Sequence, residues 1–379
     1  MNKVLPGLGI LFALLLFFSF KSINLSFNSD IPVDSLRKLY SKPTDQWPKP
    51  TVDKGVAFQE LGILPPSPID LTNDSIKKIV ELGRLLFFDP RLSASNQISC
   101  SSCHSPDLNW SDGKEVSIGH DHASNTRNAP SLENVWFYKR LFWDGRAESL
   151  EQQAESPLTS KIEMHQDVKL LPKKLKNIKG YQSYFKAAFG DSKITNERVF
   201  KSLADFQRTI VSRKTDFDRF LEGNKNSLTD QQLVGLHLFR TKARCINCHN
   251  GPLFTDNEFH NVGLTYYGRK YEDLGLYNVT KKSEDVGKFK TPGLRNVMRT
   301  GPWFHNGLFG DMDGIMNMYN VGMPVQKVRP EQENDPLLPK NDKLLRGLML
   351  SKAEKDAVVA FLQSITTLPW KDRQPVLPK

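Results

Sequence analysis

Cys100-Ser101-Ser102-Cys103-His104 and Cys245-Ile246-Asn247-Cys248-His249 decide how this chain is read. Each is a Cys-x-x-Cys-His run, the spacing of covalent c-type haem attachment. Thiols three positions apart lie about one helical turn from each other, so both can add to the vinyl groups on one edge of a macrocycle. The His that follows swings beneath the ring, where its imidazole becomes the proximal iron ligand. The cofactors implied are two covalent haem c groups, one on Cys100 and Cys103 with His104, the other on Cys245 and Cys248 with His249. A zinc ribbon would set its Cys pairs roughly 15–20 residues apart, and these lie 145 apart. A thioredoxin-like site has no need of His after the second Cys in both copies. The two runs consume all 4 cysteines, so none is left for a disulfide.

A chain of 379 residues is expected to form roughly two or three domains. Its 39% hydrophobic and 25% charged residues are an ordinary globular balance, able to bury a core. Residues 1–26 read as a targeting segment: Lys3 gives a charged start, and Leu8 to Phe20 is almost unbroken apolar. At 13 residues the run is short for a span of about 20 and suits a signal peptide. No small-x-small cleavage site is evident, so a retained inner-membrane anchor stays open. Either way the folded part is expected in the periplasm. The net charge of +10 comes without an Arg/Lys stripe interleaved with aromatics, so no nucleic-acid partner is expected. The cluster Lys169, Lys173, Lys174, Lys176 and Lys179 reads as a solvated basic face, or as a guide for an acidic electron donor or a membrane surface.

Residues 27–68 carry Pro43, Pro48, Pro50, Pro65, Pro66 and Pro68 and read as a polar tether. From Asp74 the spacing of Ile76, Ile79, Val80 and Leu86 predicts a helix stopped before Pro90. Loop is expected from Asn109 to Pro130. Thr195 is a helix start for Val199, Leu203, Phe206 and Ile210, running to Gly223 at the latest. Thr229 with Gln232 and Ser351 with Glu354 are capping boxes opening two further helices. Strand signals are weak. The fold expected is mostly α, in two cytochrome c-like haem lobes, residues 69–220 and 221–379, packed around an inter-domain seam. Both repeat the order helix, haem motif, polar loop.

Further landmarks stand in order around these motifs. They are Leu92-Ser93-Ala94-Ser95, Ser117-Ile118-Gly119-His120, Arg127-Asn128-Ala129-Pro130-Ser131 and Phe142-Trp143-Asp144-Gly145-Arg146-Ala147. The second half adds Cys248-His249-Asn250-Gly251-Pro252, Phe259-His260-Asn261-Val262-Gly263, Thr291-Pro292-Gly293-Leu294-Arg295-Asn296-Val297 and Phe304-His305-Asn306-Gly307. With these the chain resembles the bacterial di-haem cytochrome c peroxidase family, including its methylamine-utilisation di-haem oxidase branch, over roughly residues 72–325.

The resemblance implies a peroxidatic haem on His104, with His120 as its displaceable distal ligand. It makes Glu163 the acid/base group and Gln153 a distal hydrogen-bonding partner. A carboxylate in an apolar pocket suits that work, because burial raises its pKa toward neutrality. Trp143 falls where the family has a tryptophan between the haems, and a packed core aromatic is its other reading. Asn128, Thr300 and Pro302 match oxygen ligands of a calcium ion at the seam. The sixth ligand of the second haem departs from the peroxidase pattern. The position fourteen after His305 is Tyr319, as in the oxidase branch, where peroxidases have Met; Met318 and Met323 stand close by. Tyr319 is the preferred ligand and Met323 the alternative. His122 is read as surface, His165 and His237 as structural or exposed, and His260 and His305 as lining the haem or the seam.

The activity implied is reduction of hydrogen peroxide to water by electrons from a small redox protein, a cytochrome or a cupredoxin; a homodimer is allowed. Two other functions stay open: an oxidase acting on a partner protein, which Tyr319 favours, and an electron-transfer cytochrome without catalysis.

Overall fold

The computed structural model describes residues 32–369 and 372–379, so the expected signal or anchor at residues 1–26 lies outside them. The described chain is mostly helical. In order it forms α1 (Val33–Tyr40), α2 (Asp74–Phe88), α3 (Leu150–Thr159), α4 (Leu171–Lys176), α5 (Lys179–Phe189), α6 (Asn196–Arg208) and α7 (Asp216–Leu221). The second half has α8 (Asp230–Arg240), α9 (Tyr277–Thr280), α10 (Met312–Asn320) and α11 (Lys352–Ser364). β1 (Phe259–His260) pairs antiparallel with β2 (Phe289–Lys290), Phe259 opposite Lys290.

Local chemistry sets the helix ends. The Asn73 side chain accepts from the amides of Ser75 and Ile76 to open α2, and the chain leaves the helix at Asp89, before Pro90. The capping boxes Thr229/Gln232 and Ser351/Glu354 form as expected and open α8 and α11. The helix from Thr195 is shorter than expected. α6 stops at Arg208, because Asn134 reaches in from another loop and takes the Ile210 carbonyl (2.8 Å) and the Ser212 amide (3.0 Å). A new capping box, Thr215 with Asp218, then starts α7.

Among the described residues two large hydrophobic cores form, with a smaller cluster of Val135, Leu141, Ala147, Leu150 and Ala204 beside them. In the first half α2 crosses α6, burying Leu82, Leu86, Leu203 and Phe206; in the second α8 crosses α11, burying Leu233, Leu236, Val358 and Phe361. Each crossing is made at a glycine. A Cβ on Gly83 would stand 1.8 Å from the Ser202 carbonyl oxygen, and one on Gly235 1.9 Å from that of Ala357. The sequence repeat is thus a repeat of helix-crossing geometry, with one Cys-x-x-Cys-His run following each pair's first helix.

The chain ends cross over. Part of the expected tether, residues 33–61, is folded onto the second half, where Leu36, Tyr40, Trp47 and Leu61 join its core. Arg240, fully buried on α8, pins this strap by pairing with Glu60 and donating to Tyr40 Oη (3.0 Å) and the Pro48 carbonyl (2.8 Å). Conversely the C-terminal tail lies on the first half. Arg84 pairs with Asp372 (2.6 Å), Arg91 donates to the Pro378 carbonyl (2.8 Å), and the Gly180 amide donates to the Lys379 carbonyl (2.7 Å).

Candidate haem pockets

Both Cys-x-x-Cys-His runs take the same shape. Cys100–Ser102 and Cys245–Asn247 are single 3-10 turns, and the following His amides, of His104 and His249, donate to the Cys100 and Cys245 carbonyls at 3.0 and 2.8 Å. Each imidazole then donates through Nδ1 to a carbonyl, His104 to Trp110 and His249 to Phe254, both at 3.1 Å. A carbonyl can only accept, so the proton sits on Nδ1 and Nε2 keeps its lone pair, the tautomer an iron ligand needs. Trp110 and Phe254 hold left-handed backbone, φ 58° and 60°, so both halves turn the accepting carbonyl by the same strained device. Burial lowers the pKa of both imidazoles and pushes the Cys100 and Cys245 thiols up to about 12.

One continuous cavity of about 1300 Å³ joins the two runs. A single-ligand pocket spans roughly 300–1,000 Å³, so this one suits more than one large group. All four cysteines and both proximal histidines line it, as do Trp143, Gln153, Glu163, Tyr319, Asn128, Thr300 and Pro302. With two imidazoles whose Nε2 keeps its lone pair and four cysteine thiols on its wall, the cavity fits two covalently held haems.

On the first side, Glu163 follows α3, and Asn125 donates to its Oε1 at 2.7 Å. Its charge registers at Cys103 and His104, which places it beside the first motif. Gln153, half-buried on α3, lines the same wall. His120 is absent from the cavity's lining. Its ring lies edge-on to His165, centroids 4.7 Å apart, its Nδ1 is buried without a partner, and its amide donates to the Glu163 carbonyl at 2.7 Å. Gly119 allows that approach, since a Cβ there would meet the Ile162 carbonyl oxygen at 2.2 Å.

On the second side Tyr319, near the end of α10, faces Cys245 and Cys248 and lines the cavity, and burial with those two sulfurs raises its phenol pKa. Met323 is buried but is not among the lining residues, and neither is Met318. Cys248, Asp256 and His260 offer donor atoms within 4.8 Å of one another. A haem thioether at Cys248 would remove its sulfur from that set. His260 is clamped between Asp342 (2.6 Å) and Asp256 (2.9 Å). Burial opposes its charge, but the two carboxylates outweigh burial and raise its pKa to about 12.

The landmark residues tie the seam between the halves. Arg127 bridges Asp144 and Asp273, each at 2.6 Å, while within the second core Arg295 forks onto buried Asp218 at 2.8 and 2.9 Å. Trp143 is fixed at both ends: its indole N–H donates to the Asn128 carbonyl (3.0 Å), and its own carbonyl accepts from the Lys290 amide (2.8 Å). The Asn128 amide nitrogen donates to the Lys114 carbonyl at 2.9 Å.

Sequence reading missed Asn125, Lys290 and Glu133, all on the cavity wall. Half-buried Glu133 accepts from Asn296 (2.5 Å) and weakly from Asn109 (3.4 Å), and desolvation of its carboxyl lifts its pKa from 4.5 to about 7. The folded chain therefore holds a proton that the unfolded chain releases between those two values, so the contribution of Glu133 to stability falls as pH rises through that window. Glu133→Gln should abolish this slope, stabilising the protein at pH 8 relative to pH 5 by on the order of 2–3 kcal/mol against the parent. Denaturant unfolding at the two pH values checks it.

The family profile described as "Di-haem cytochrome c peroxidase" matches residues 77–226. The chain is 33% identical to cytochrome-c peroxidase IdrP1 of Pseudomonas sp. (strain SCT), covering 85% of this chain and 90% of that one. It is 34% identical to the methylamine utilization protein MauG of Methylophilus methylotrophus, over 82% and 89% of the two. The crystal structure of a MauG-like protein associated with microbial copper homeostasis superposes with a TM-score of 0.70 at 28% identity, covering 80% of this chain and 93% of that one. On that similarity along most of its length, the chain belongs to the di-haem cytochrome c peroxidase family, in which cytochrome-c peroxidases and MauG proteins stand together.

Proposed function

We propose that this oxidoreductase is a peroxidase, reducing hydrogen peroxide to water with electrons delivered one at a time by a small cytochrome or cupredoxin on the periplasmic side. The observation that carries the reading is Glu163 on the cavity wall beside the first motif, its carboxylate fixed by Asn125. When bound, the two haems supply the redox-active iron. The remaining work falls to side chains. Converting peroxide to two waters consumes two electrons and two protons. Glu163 takes the proton from one peroxide oxygen and returns it to the oxygen that leaves. The two protons consumed come from water. Gln153 donates an amide hydrogen to peroxide and holds it within reach of Glu163. Trp143, immobilised at both ends, bridges the two pockets for electrons.

His120 serves as the displaceable ligand in this reading. In the structure its ring stands off the cavity wall beside His165, and its loop is tied to the Glu163 carbonyl, so bringing His120 onto an iron would shift Glu163 with it. Calcium would sit at the seam on Asn128, Thr300 and Pro302. The Asn128 amide nitrogen is committed to Lys114, which leaves its oxygen for a hard cation.

The test is to mature the chain in a host that attaches c-type haem, purify it with calcium, and reduce it by one electron. Stoichiometric peroxide is then added in a stopped-flow cell with and without a reduced cytochrome. Rapid donor oxidation supports the peroxidase. Spectral changes that ignore the donor point to an oxidase acting on a partner protein, and no change at all leaves an electron carrier.

The oxidase reading draws on one observation: Tyr319 lines the cavity beside Cys245 and Cys248 while Met323 does not. A phenolate on iron stabilises the ferric state, and a thioether raises the potential. Tyr319→Met should accordingly raise the second haem's midpoint potential in spectroelectrochemical titration, whereas Met323→Leu should leave it in place. A potential that follows Met323 instead would reassign the ligand.

A further inference from the structure

Five arginines and the charged His260 reach the cavity wall as cations, and each has a carboxylate, Asp256 and Asp342 for His260. Arg127 holds Asp144 and Asp273, Arg146 holds Asp144, Arg295 holds Asp218, and both Arg244 and Arg346 pair with Asp53. The remaining cation, Lys290, has no carboxylate partner among the described residues. Its Nζ lies 3.4 Å from the centre of the Tyr138 ring. The Tyr138 hydroxyl is itself occupied, accepting from the Gly293 amide at 2.8 Å. Burial acts on Lys290 unopposed, taking its pKa down to about 7, which is what an ammonium without a counter-charge undergoes.

A ring face recovers only part of what a buried ammonium loses on leaving water, and a desolvated charge is retained where an anion meets it. No carboxylate of the described residues pairs with Lys290 at this wall, so an anion that meets it arrives with whatever fills the cavity. A haem brings two propionate carboxylates. The local geometry also selects between the haems. Lys290 is on β2, opposite Phe259 of β1, and His260, next on β1, reaches Cys248. Two residues beyond Lys290, the Pro292 carbonyl contacts the His249 imidazole. The Lys290 amide meanwhile donates to the Trp143 carbonyl, setting the side chain on the flank of the second pocket that faces the seam.

We propose that Lys290 is the counter-cation of a propionate on the haem held by Cys245 and Cys248, and that it sets this haem's potential by neutralising the carboxylate. The inference rests on the two-haem occupancy proposed above. An ammonium beside the propionate favours the reduced iron, because it offsets negative charge that otherwise stabilises the ferric state. Lys290 is a positioning and tuning residue, acting on the iron through the carboxylate.

The test compares K290M and K290R with the parent protein, each matured with haem and counted for two haems per chain before use. Spectroelectrochemistry reads the two haems separately. In K290M the ferrous-to-ferric ratio of the second haem at a fixed applied potential should fall about tenfold, equivalent to about 59 mV for one electron. The first haem should stay within about twofold, and K290R should keep both near the parent values. Unchanged potentials in a two-haem K290M protein, or equal shifts of both haems, overturn the assignment. If K290M matures poorly, K290R still decides. Exchanging ammonium for guanidinium must move the propionate bending mode of one haem in resonance Raman, and a mode that stays put overturns the contact. A chain that matures without haem overturns the two-haem reading itself, and the haem count separates that failure from the others.

Discussion

On the proposed reading, Glu163→Gln should lower peroxide turnover by about 10²–10⁴-fold, the range a positioned acid/base group contributes, while both haems stay in place. Gln is nearly isosteric with Glu. Its carbonyl oxygen can still accept the Asn125 N–H that now reaches Glu163 Oε1 at 2.7 Å, so the loop and the pocket keep their shape. What disappears is the ability to carry a proton from one peroxide oxygen to the other. The loss should therefore fall on kcat, with the spectrum of the resting protein unchanged. Stopped-flow mixing with peroxide and a reduced cytochrome measures it. Asn125→Ala gives the companion result: it keeps the carboxylate but frees its orientation, and should cost a smaller factor that varies less with pH. Turnover within threefold of the parent in Glu163→Gln would remove Glu163 from the chemistry and with it the main support for a peroxidase.

The second large effect is on folding. Gly83→Ala and Gly235→Ala each place a methyl group 1.8–1.9 Å from a backbone carbonyl oxygen of the crossing helix. Overpacking of side chains against side chains costs about 1–3 kcal/mol because rotamers yield. Here neither partner has a rotamer to change, so the helices themselves must separate and uncover Leu82 and Phe206, or Leu236 and Phe361. Each substitution should cost at least about 3 kcal/mol, enough to leave little folded, haem-bearing protein. Gly310→Ala is the control. No atom lies within 4 Å of its added Cβ, and the change should stay within about 0.5 kcal/mol. Denaturant unfolding of the three purified variants, with haem content as a second reading, checks the ranking.

What the sequence made legible was local chemistry. The two Cys-x-x-Cys-His runs, the capped starts of α8 and α11, and the apolar face of α2 are each written within about fifteen residues. The elements it hid depend on partners far along the chain. α4 and α5 lie inside a lysine-rich run whose charges mask Leu171, Leu175, Tyr181 and Phe185, all buried. The strap at residues 33–61 carries its buried residues singly among prolines and charges, so no period announces it; Arg240, about 200 positions away, makes it a structural element. Tyr319 and Met323 are four residues apart in a stretch that allows either side chain to face the haem, and only the course of α10 separates them. Glu133 draws its partner Asn296 from 163 residues downstream, and nothing near Glu133 signals a carboxyl held on the cavity wall.

The crossed chain ends bear on how this protein comes apart. The first half is completed by the tail at Asp372–Lys379, and the second by the strap at Val33–Leu61. Neither half can lose its structure without releasing the other's terminus, and the shared cavity gives both one set of walls. Two haem pockets of repeated design are thereby made into a single cooperative unit, which melts in one transition rather than lobe by lobe.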